Sequence, residues 1–283
     1  MRIAVIGKSG QLAQSLQYVT AERSSGLIFI GKSEIDIADK VSIGIHLGKI
    51  QPGVLINCAA YTAVDNAEDD PEGAELLNIT AVENLVEVCA ELNIFLIHIS
   101  TDYVFDGTSN RPYLESAITN PKSVYGKTKL QGEQVLLNSR LKGVVIRTSW
   151  LYSPFGKNFY RTIRQKILEQ APLNVVNDQI GVPTSALDLA RVIIKIAERH
   201  QEITHPELFH VSNFGPATWY EFAIAIRDFL NSTSSINPVS SEYFVSKATR
   251  PTYSVLSTKK VERKFGIQLR YWKEALEEVT LLS

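Results

Sequence analysis

Ile3-Ala4-Val5-Ile6-Gly7-Lys8-Ser9-Gly10-Gln11-Leu12-Ala13 is the stretch that decides the fold of this 283-residue chain. The apolar run predicts a buried strand, Arg2–Ile6, and a glycine turn follows it directly. That turn opens a helix whose apolar face includes Leu12, Leu16 and Val19. Glycines at such a turn let a pyrophosphate reach the backbone N–H groups at the helix N-terminus. The stretch therefore predicts a dinucleotide-binding βα unit, and a plain glycine turn is the alternative.

Short apolar or β-branched runs continue to alternate with helical patterns along the first half of the chain. The predicted strands after the first are Leu27–Ile30, Val54–Asn57, Leu96–Ser100 and Val144–Thr148. Such alternation predicts an α/β fold with a doubly wound parallel sheet, the Rossmann arrangement.

Two helices of the first half begin with a cap residue followed by proline. Asp70-Pro71 opens the clearest one, whose apolar face recurs at three- and four-residue steps: Ala74, Leu77, Ala81, Leu85, Val88 and Leu92. The same device at Asn120-Pro121 predicts a helix that runs through Tyr125 and Lys129.

The pattern becomes mixed beyond Trp150. It predicts helices near Asn158–Glu169 and Ala186–Arg199, and strands at Leu173–Val176 and Leu208–Val211. We therefore expect a dinucleotide-binding domain of residues 1–150 plus about 185–212. A smaller, interleaved C-terminal substrate-binding domain would take about 151–184 and 213–283.

Composition favours small-molecule partners. The formal net charge is -1 and no basic block appears, which argues against nucleic acid and an anionic membrane as partners. The N-terminal apolar run is too short for a signal peptide, so we expect a cytoplasmic protein. Cys58 and Cys89 lie in apolar segments and are expected to be reduced core thiols. The five histidines never fall at ligand spacing, so no histidine-built metal site is expected.

The end of the second strand bears on which dinucleotide is bound. An Asp or Glu there would hold the ribose 2′-hydroxyl of NAD(H), whereas the sequence is Ile30-Gly31-Lys32-Ser33. A cation and a hydroxyl suit a 2′-phosphate, which favours NADP(H). Glu34 and Asp36 lie close enough to keep NADH open as an alternative.

Tyr125 and Lys129 are spaced i and i+4, so they share one helix face. A nearby cation stabilises a phenolate and lowers the pKa of a tyrosine from about 10, which suits a general acid or base. Ser100 and Thr101 end the preceding strand, where open α/β sheets place ligands. Either hydroxyl could bond a substrate carbonyl. His98, within the apolar run, is expected to be a satisfied core histidine.

These motifs, taken together, make the chain resemble the dTDP-4-dehydrorhamnose reductases, a family of extended short-chain dehydrogenases/reductases. The likeness covers nearly the whole length and is carried by 7–12, 57–65, 100–107, 125–129, Arg147-Thr148-Ser149-Trp150, 177–184 and Arg250-Pro251. It implies NADPH-dependent reduction of the C4 keto group of dTDP-4-dehydro-L-rhamnose to dTDP-L-rhamnose, in polysaccharide biosynthesis.

The resemblance also implies roles for individual residues. Thr101, Tyr125 and Lys129 match the catalytic triad, with Tyr125 as proton donor and Lys129 also on the nicotinamide ribose. Cofactor contacts match at Gly7, Gly10, Gln11, Leu12, Asp36, Ile37, Ala59, Ala60 and Thr62. Lys32, at the end of the second strand, is a further cofactor-binding candidate. The sugar pocket matches at Val64, Asp102, Tyr103 and Trp150, and Arg250 would pair with the substrate pyrophosphate.

Two positions depart from that family. Members that bind magnesium at a dimer interface carry glutamates where this chain has Ser15 and Leu187. Because magnesium needs oxygen ligands, we expect no metal and no magnesium-bridged dimer, and hence a monomer.

Other functions stay open on the sequence alone. The triad and the glycine turn specify carbonyl chemistry without specifying the sugar, so another nucleotide-sugar 4-ketoreductase or an epimerase would fit. A non-catalytic regulatory subunit like the methionine adenosyltransferase β subunit would also fit, although the retained Thr101, Tyr125 and Lys129 argue against it.

Overall fold

A parallel sheet forms the centre of the computed structural model, which describes residues 1–21 and 27–283. Within those residues the strands are β1 (Ile3–Ile6), β2 (Leu27–Ile30), β3 (Val54–Asn57), β4 (Phe95–Thr101), β5 (Gly143–Thr148), β6 (Leu151–Tyr152), β7 (Leu173–Val176), β8 (Ile180–Gly181), β9 (Thr184–Ser185), β10 (Glu207–His210), β11 (Ala217–Thr218) and β12 (Ile236–Val239). Each strand predicted from the sequence is confirmed to within one residue at either end.

Six of the described strands pair in parallel in the order β10-β5-β4-β3-β1-β2. Strands β1, β3 and β5 are buried along their whole length, which is why their sequences are continuous apolar runs rather than alternating ones. The chain order reverses between β1 and β3. In open α/β sheets the crevice beyond the carboxyl ends of such a pair is the ligand site.

Helices cover both faces of the sheet, so the predicted doubly wound Rossmann fold is confirmed. The described α-helices are α1 (Gln11–Val19), α2 (Lys40–Ile50), α3 (Pro71–Glu75), α4 (Ala81–Glu91), α5 (Val124–Leu137), α6 (Phe159–Leu168), α7 (Ala186–Glu198), α8 (Trp219–Phe229), α9 (Lys259–Phe265) and α10 (Trp272–Leu281). Apolar residues of α1, α7 and α9 share one core with the sheet. Those of α2, α4 and α5 share the core on the opposite face.

The predicted start, at Asn120-Pro121, of the helix that carries Tyr125 and Lys129 is wrong. Helix α5 begins at Val124, because Ser123 is extended and its hydroxyl accepts a 3.1 Å hydrogen bond from the Gly126 amide, as an N-cap does. The Asn120 side chain instead donates to Asp106 at 3.0 Å, and so Pro121 lies before the helix rather than in its first turn.

The Asp70-Pro71 start is confirmed, since Asp70 accepts from the Gly73 amide at 3.0 Å. The helix that follows is not uniform, however. A π-turn over Leu76–Thr80 joins α3 to α4 and turns the Asn78 side chain into the protein interior. Such turns insert one residue into a helix and are frequent at functional sites.

A second apolar core lies in the C-terminal half of the chain and is built from α6, β7, α8, β12 and α10. The division into residues 1–150 plus about 185–212 and about 151–184 plus 213–283 stays a prediction. The two cores do not follow it throughout, because Val261 and Phe265 of α9 pack into the core of the main sheet and Leu187 of α7 packs into the second core. Among the described residues, no helix combines the length and apolarity that crossing a bilayer requires.

A pair of helical glycines gives a test of the packing between α5 and the π-turn. A Cβ on Gly132 would lie 2.1 Å from the Asn78 carbonyl oxygen, whereas a Cβ on Gly44 of α2 would meet nothing within 4 Å. We expect Gly44→Ala to raise the free energy of unfolding by up to about 1 kcal/mol, from backbone entropy and helix propensity. Gly132→Ala should lower it, because helix and π-turn must separate. Equal effects in urea unfolding would contradict the close contact.

Candidate active site

A cavity of about 770 Å³ opens at the carboxyl ends of β1, β3 and β4. Every residue that the sequence analysis assigns to cofactor, substrate or catalysis lies on its wall: Gly7, Gly10, Gln11, Leu12, Lys32, Asp36, Ile37, Ala59, Ala60, Thr62, Val64, Thr101, Asp102, Tyr103, Tyr125, Lys129, Trp150 and Arg250. Its volume is in the range of small-molecule sites. The structure thus brings the predicted residues together, and the role of each one stays a prediction.

The glycine turn forms one end of the cavity. Gly7 has φ +95°, and a Cβ there would lie 2.9 Å from the Ala59 amide nitrogen, so only glycine fits. The Gly10 amide donates to the Gly7 carbonyl at 2.8 Å. Gly10 is also the N-cap of α1 and supplies no side-chain cap to the first-turn amides. Those N–H groups suit a pyrophosphate at a helix N-terminus, which fits a dinucleotide.

Cations flank the turn where the adenosine ribose of a dinucleotide would lie. Lys32 and Lys8 are both exposed on the cavity wall. Glu34, the carboxylate nearest in sequence to the end of β2, accepts the Gly31 amide at 2.7 Å. Asp36 lies on the wall and accepts the Ala38 amide at 3.0 Å. The two lysines, together with a Glu34 carboxylate that is bonded to the Gly31 amide, suit a ribose 2′-phosphate better than a free 2′-hydroxyl.

Tyr125, Thr101 and Asp102 meet at the opposite end of the cavity. The Thr101 hydroxyl donates to Asp102 Oδ1 at 3.1 Å and accepts the Tyr103 amide at 3.1 Å. Asp102 Oδ2 is buried and has no hydrogen-bond partner among the described residues. Burial raises the pKa of Asp102 to about 6, against the opposing effect of its hydroxyl partners. This carboxyl can therefore carry a proton in mildly acidic solution.

The pKa of Tyr125 differs from the expectation that Lys129 would lower it. Burial raises the pKa of the phenol above its ordinary value, and contact with the Thr101 hydroxyl only partly offsets the rise. Lys129 does not offset the rise, and its Nζ donates to the Ile99 carbonyl at 2.6 Å and lies 3.3 Å from His98 Nε2. Tyr125 is thus held as the protonated phenol, the form that acts as a general acid.

Lys129 is only 2% exposed. Burial lowers its pKa to about 8, although Glu133 opposes the shift. His98 is also buried, and burial together with Lys129 holds the pKa of its ring well below the ordinary value. His98 is therefore a satisfied, neutral core histidine as expected, and its contact with Lys129 was not foreseen from the sequence.

A buried ion pair fixes α5 on the sheet. The guanidinium of Arg147 on β5 donates three hydrogen bonds of 2.6 to 3.1 Å to the two carboxylate oxygens of Glu133. The Ser100 hydroxyl of β4 donates to the same carboxylate at 2.5 Å. Glu133 lies one turn beyond Lys129, so this ion pair fixes the helix face that carries Tyr125 and Lys129. Ser100 was a candidate substrate ligand on the sequence alone, whereas its hydroxyl is bonded to Glu133.

The π-turn braces α5 from the other side. Asn78 Nδ2 donates to Thr128 Oγ1 at 3.0 Å and to the Tyr61 carbonyl at 3.2 Å, while its Oδ1 accepts the Tyr61 amide at 2.9 Å. Asn78 therefore ties the loop after β3 to α5 immediately beside Lys129. Only an asparagine within an apolar helical pattern hinted at this contact in the sequence.

Trp150 forms part of the cavity wall in a strained conformation. Its φ of +44° is in the left-handed region, and its ring stacks on Trp219 at 3.6 Å with an interplanar angle of 6°. A Cβ on Gly181 would lie 2.4 Å from the Trp150 ring, so glycine is required there. Non-glycine residues keep such backbone strain only where the surroundings enforce it, typically at ligand sites.

Arg250 and Asp65 close the rim near Tyr103. The Arg250 guanidinium donates to Asp65 at 2.5 Å and to the Tyr103 hydroxyl at 3.3 Å. A pyrophosphate at this position would therefore compete with Asp65 for Arg250. Val64 is half-buried and packs in a small cluster with Tyr103 and Tyr125.

Several wall residues were missed by the sequence analysis, among them Lys8, Lys157, Phe159 and Trp219. Lys8 was visible within the glycine turn and could have been paired with Lys32. The others come from the C-terminal half, where no motif marked them, and only the fold brings them to the cavity.

The departures from the magnesium-binding pattern are buried. Ser15 and Leu187 are both fully buried, and the Ser15 hydroxyl donates to the Gln11 carbonyl at 2.8 Å. Within residues 1–21 and 27–283, no group of three or more His, Cys, Asp or Glu side chains is arranged to hold a metal ion. Cys58 and Cys89 are free thiols, and Cys58 contributes to the cavity wall rather than to plain core.

Fold, glycine turn and buried tyrosine–lysine pair together define an NAD(P)H-dependent oxidoreductase of the extended short-chain dehydrogenase/reductase type. The chain belongs to the RmlD substrate binding domain family, whose sequence model matches residues 1–281.

Several known proteins align with this chain over nearly its whole length. The dTDP-4-dehydrorhamnose reductase of Sinorhizobium fredii is 37% identical, covering 97% of this chain and 95% of the relative. A probable dTDP-4,6-dihydroxy-2-methyloxan-3-one 4-ketoreductase of Streptomyces antibioticus is also 37% identical, covering 98% and 94%. The crystal structure of dTDP-4-dehydrorhamnose reductase from Bacillus anthracis in complex with NADP superposes with a TM-score of 0.95, at 33% identity, covering 100% and 99%.

Asp102 gives a test of burial at the site. Because its folded-state pKa is raised from 3.8 to about 6, it stabilises the fold fully below about pH 4 and loses that contribution as the pH rises through 6. We expect wild type to lose up to about 3 kcal/mol of unfolding free energy relative to Asp102→Asn between pH 4 and 7. Urea unfolding of both proteins across that range gives the difference, in which the other titrating groups cancel. Parallel pH profiles would contradict a raised pKa.

Proposed function

We propose that this protein reduces the C4 keto group of dTDP-4-dehydro-L-rhamnose with NADPH, giving dTDP-L-rhamnose. The observation that carries the proposal is the arrangement of one cavity, with an uncapped helix N-terminus and two lysines at one end and Tyr125 at the other. Family membership supports the same reaction, since reductases of this name are among the relatives.

The first-turn amides of α1 would hold the pyrophosphate of NADPH, with Gly7, Gly10, Gln11 and Leu12 around it. Lys32 and Lys8 would hold the 2′-phosphate, and Asp36 and Ile37 would lie along the adenine. Ala59, Ala60 and Thr62 would line the path toward the nicotinamide. Lys129 Nζ would reach the nicotinamide ribose. When bound, NADPH supplies the hydride that reduces C4.

Tyr125 would give its proton to the C4 oxygen as hydride arrives at C4, so that ketone, hydride and proton make the alcohol. The raised pKa of Tyr125 keeps that proton in place until the oxygen becomes basic. The Thr101 hydroxyl would orient Tyr125 and the carbonyl oxygen. A phenolate left on Tyr125 would take the Thr101 hydroxyl proton, and Thr101 would in turn take a proton from the protonated form of Asp102, which a pKa of about 6 makes available.

The sugar would lie against Val64, Asp102, Tyr103 and the stacked Trp150. The planar fork of Arg250 would pair with the substrate pyrophosphate in place of Asp65. A nucleotide-linked sugar, rather than a free sugar, is the substrate class that uses this rim cation.

The direct experiment is to follow NADPH oxidation by the purified protein with dTDP-4-dehydro-L-rhamnose and with other nucleotide-linked 4-keto sugars. We expect turnover with the rhamnose precursor and dTDP-L-rhamnose as the product by NMR. Turnover only with another 4-keto sugar would favour a different 4-ketoreductase or an epimerase. Tight NADPH binding without any turnover would favour a regulatory subunit.

A different 4-ketoreductase is the second candidate. The Streptomyces antibioticus relative named for such an activity is as similar as the dTDP-4-dehydrorhamnose reductase of Sinorhizobium fredii. Hydride and proton delivery by the groups described above would serve either 4-keto sugar, so product identification decides between them.

Tyr125→Phe tests proton delivery. The variant keeps the ring but loses the acidic hydroxyl, so we expect normal folding, unchanged NADPH affinity and a loss in kcat of about 10²–10⁴. Stopped-flow rates under single turnover give the chemical step. Tyr253→Phe is the matched control, because it removes a phenol that does not line the cavity. Near-wild-type rates for Tyr125→Phe would rule out the proton-donor role.

Lys32→Ala tests the choice of dinucleotide. Removing a cation from a 2′-phosphate should raise KM for NADPH about tenfold while leaving KM for NADH unchanged. Lys142→Ala is the control. Lys142 is an exposed lysine just before β5, and so it lies at the amino ends of the strands rather than at the carboxyl ends, where the cavity opens. Equal efficiency of wild type with NADH and NADPH would overturn the preference.

We also propose that the protein works as a monomer in the cytoplasm, with neither nucleic acid nor membrane as partner. Fully buried Ser15 and Leu187 offer no carboxylate to a magnesium ion shared with a second subunit. Two free thiols and no paired cysteine among the described residues suit a reducing compartment. A magnesium-dependent dimer in light scattering would contradict the monomer.

A further inference from the structure

A line of fixed hydrogen bonds leads from the backbone beside the glycine turn to Lys129. Asn57 at the end of β3 is 1% exposed, and His98 of β4 is equally buried. The Ala59 amide donates to Asn57 Oδ1 at 3.0 Å, Asn57 Nδ2 lies 3.1 Å from His98 Nδ1, and His98 Nε2 lies 3.3 Å from Lys129 Nζ.

The direction of this line is set at the Ala59 amide, because a backbone N–H can only donate. Asn57 must therefore present its oxygen to Ala59 and its NH₂ group to His98. A neutral imidazole that accepts at Nδ1 carries its proton on Nε2. Nε2–H consequently points at Lys129 Nζ, and Nζ has to accept a hydrogen bond there.

An ammonium group has no lone pair and cannot accept. If Lys129 were charged, its ammonium and the Nε2–H group of His98 would both be donors. They would face each other at 3.3 Å in the protein interior with no acceptor between them. An uncharged amine can accept from Nε2–H while it donates to the Ile99 carbonyl. Only this form satisfies every contact.

We propose that Asn57 and His98 are positioning residues that fix the imidazole tautomer and thereby weaken proton binding by Lys129 until an acceptor oxygen reaches its Nζ. A ribose hydroxyl of the nicotinamide nucleotide is the chemical group that would supply that oxygen, and this part of the inference rests on the proposed function. Lys129 would then bind its proton more tightly as the nucleotide binds, so the cation would be secured when Tyr125 gives up its proton.

The charges around Lys129 are compatible with this arrangement. Glu133, one turn further along α5, favours the ammonium, but Arg147 of β5 and Ser100 of β4 already engage its carboxylate. Tyr125, one turn earlier on α5, is a neutral phenol, and His98 on β4 is neutral. The pKa of Lys129, lowered to about 8, agrees with the tautomer argument without being its basis.

The test is an NMR titration of protein labelled with ¹³C at lysine Cε, without added nucleotide or sugar. Loss of one resonance in Lys129→Met identifies Lys129. We expect its midpoint in wild type to lie about two units below the ordinary lysine value of about 10.4. Because no turnover is involved, failure of the proposed reaction would leave this titration fully interpretable.

Asn57→Ala is the decisive variant. It adds no charge but frees His98 to carry its proton on Nδ1, so that Nε2 can accept from the ammonium. We expect the Lys129 midpoint to rise by about one unit. In Asn57→Asp, the carboxylate accepts from both Ala59 and Nδ1–H, so the midpoint should rise further. Asn213→Ala, which removes a buried asparagine bonded to the Ser185 amide and to Asp188 rather than to His98, is the control for core disruption and should leave the midpoint unchanged.

Proton uptake provides a second readout. Calorimetry of NADP⁺ binding near pH 9, in two buffers with different ionisation enthalpies, should show uptake of a large fraction of one proton by wild type and clearly less by Asn57→Asp. A wild-type midpoint near 10.4, or the same midpoint in wild type and Asn57→Ala, would overturn the inference. A Tm measured for each variant shows that the titrated protein is folded.

Discussion

The ion pair between Glu133 and Arg147 is the interaction on which the rest of the site depends. Both side chains are almost fully buried, so neither could lose its partner without leaving an unpaired charge in the core, a defect of about 3–5 kcal/mol. The pair joins α5 to β5, and Ser100 extends the junction to β4. With that register fixed, Tyr125 and Lys129 can face the cavity only where the strand carrying Thr101 ends.

Burial shifts the site toward uncharged groups. It raises the pKa values of Tyr125 and Asp102 and lowers that of Lys129, so each group moves toward its neutral form. Charged residues at the cavity, among them Lys8, Lys32, Asp36, Lys157 and the Arg250–Asp65 pair, are more exposed than these three. A charged ligand would therefore meet the exposed cations at its phosphates, while the reacting carbonyl would meet buried groups whose charged forms are disfavoured. Such a separation suits proton transfer timed by ligand contact.

Much of this architecture could be predicted because the sheet is buried on both faces. Strands such as Val54–Asn57 then appear as unbroken apolar runs, and the turn at Gly7 has few alternatives. The start of α5 was missed because Asn120-Pro121 and Ser123 are both plausible caps, and only the tertiary bond from Asn120 to Asp106 decides between them. Trp219 and the link from His98 to Lys129 depend on distances between segments far apart in sequence, which local periodicity does not contain.

The π-turn at Leu76–Thr80 changes the direction in which the side chains of α4 point relative to those of α3. An added residue rotates everything after it by about 100° relative to a regular helix. Helix α4 can therefore bury its own apolar stripe while Asn78 points a different way, toward Tyr61 and Thr128. Deleting one residue here would make the helix more regular, yet it would put α3 and α4 out of step. The irregular turn is thus what lets α3 and α4 both pack correctly. Natural variants must therefore preserve the number of residues in this segment more than its composition.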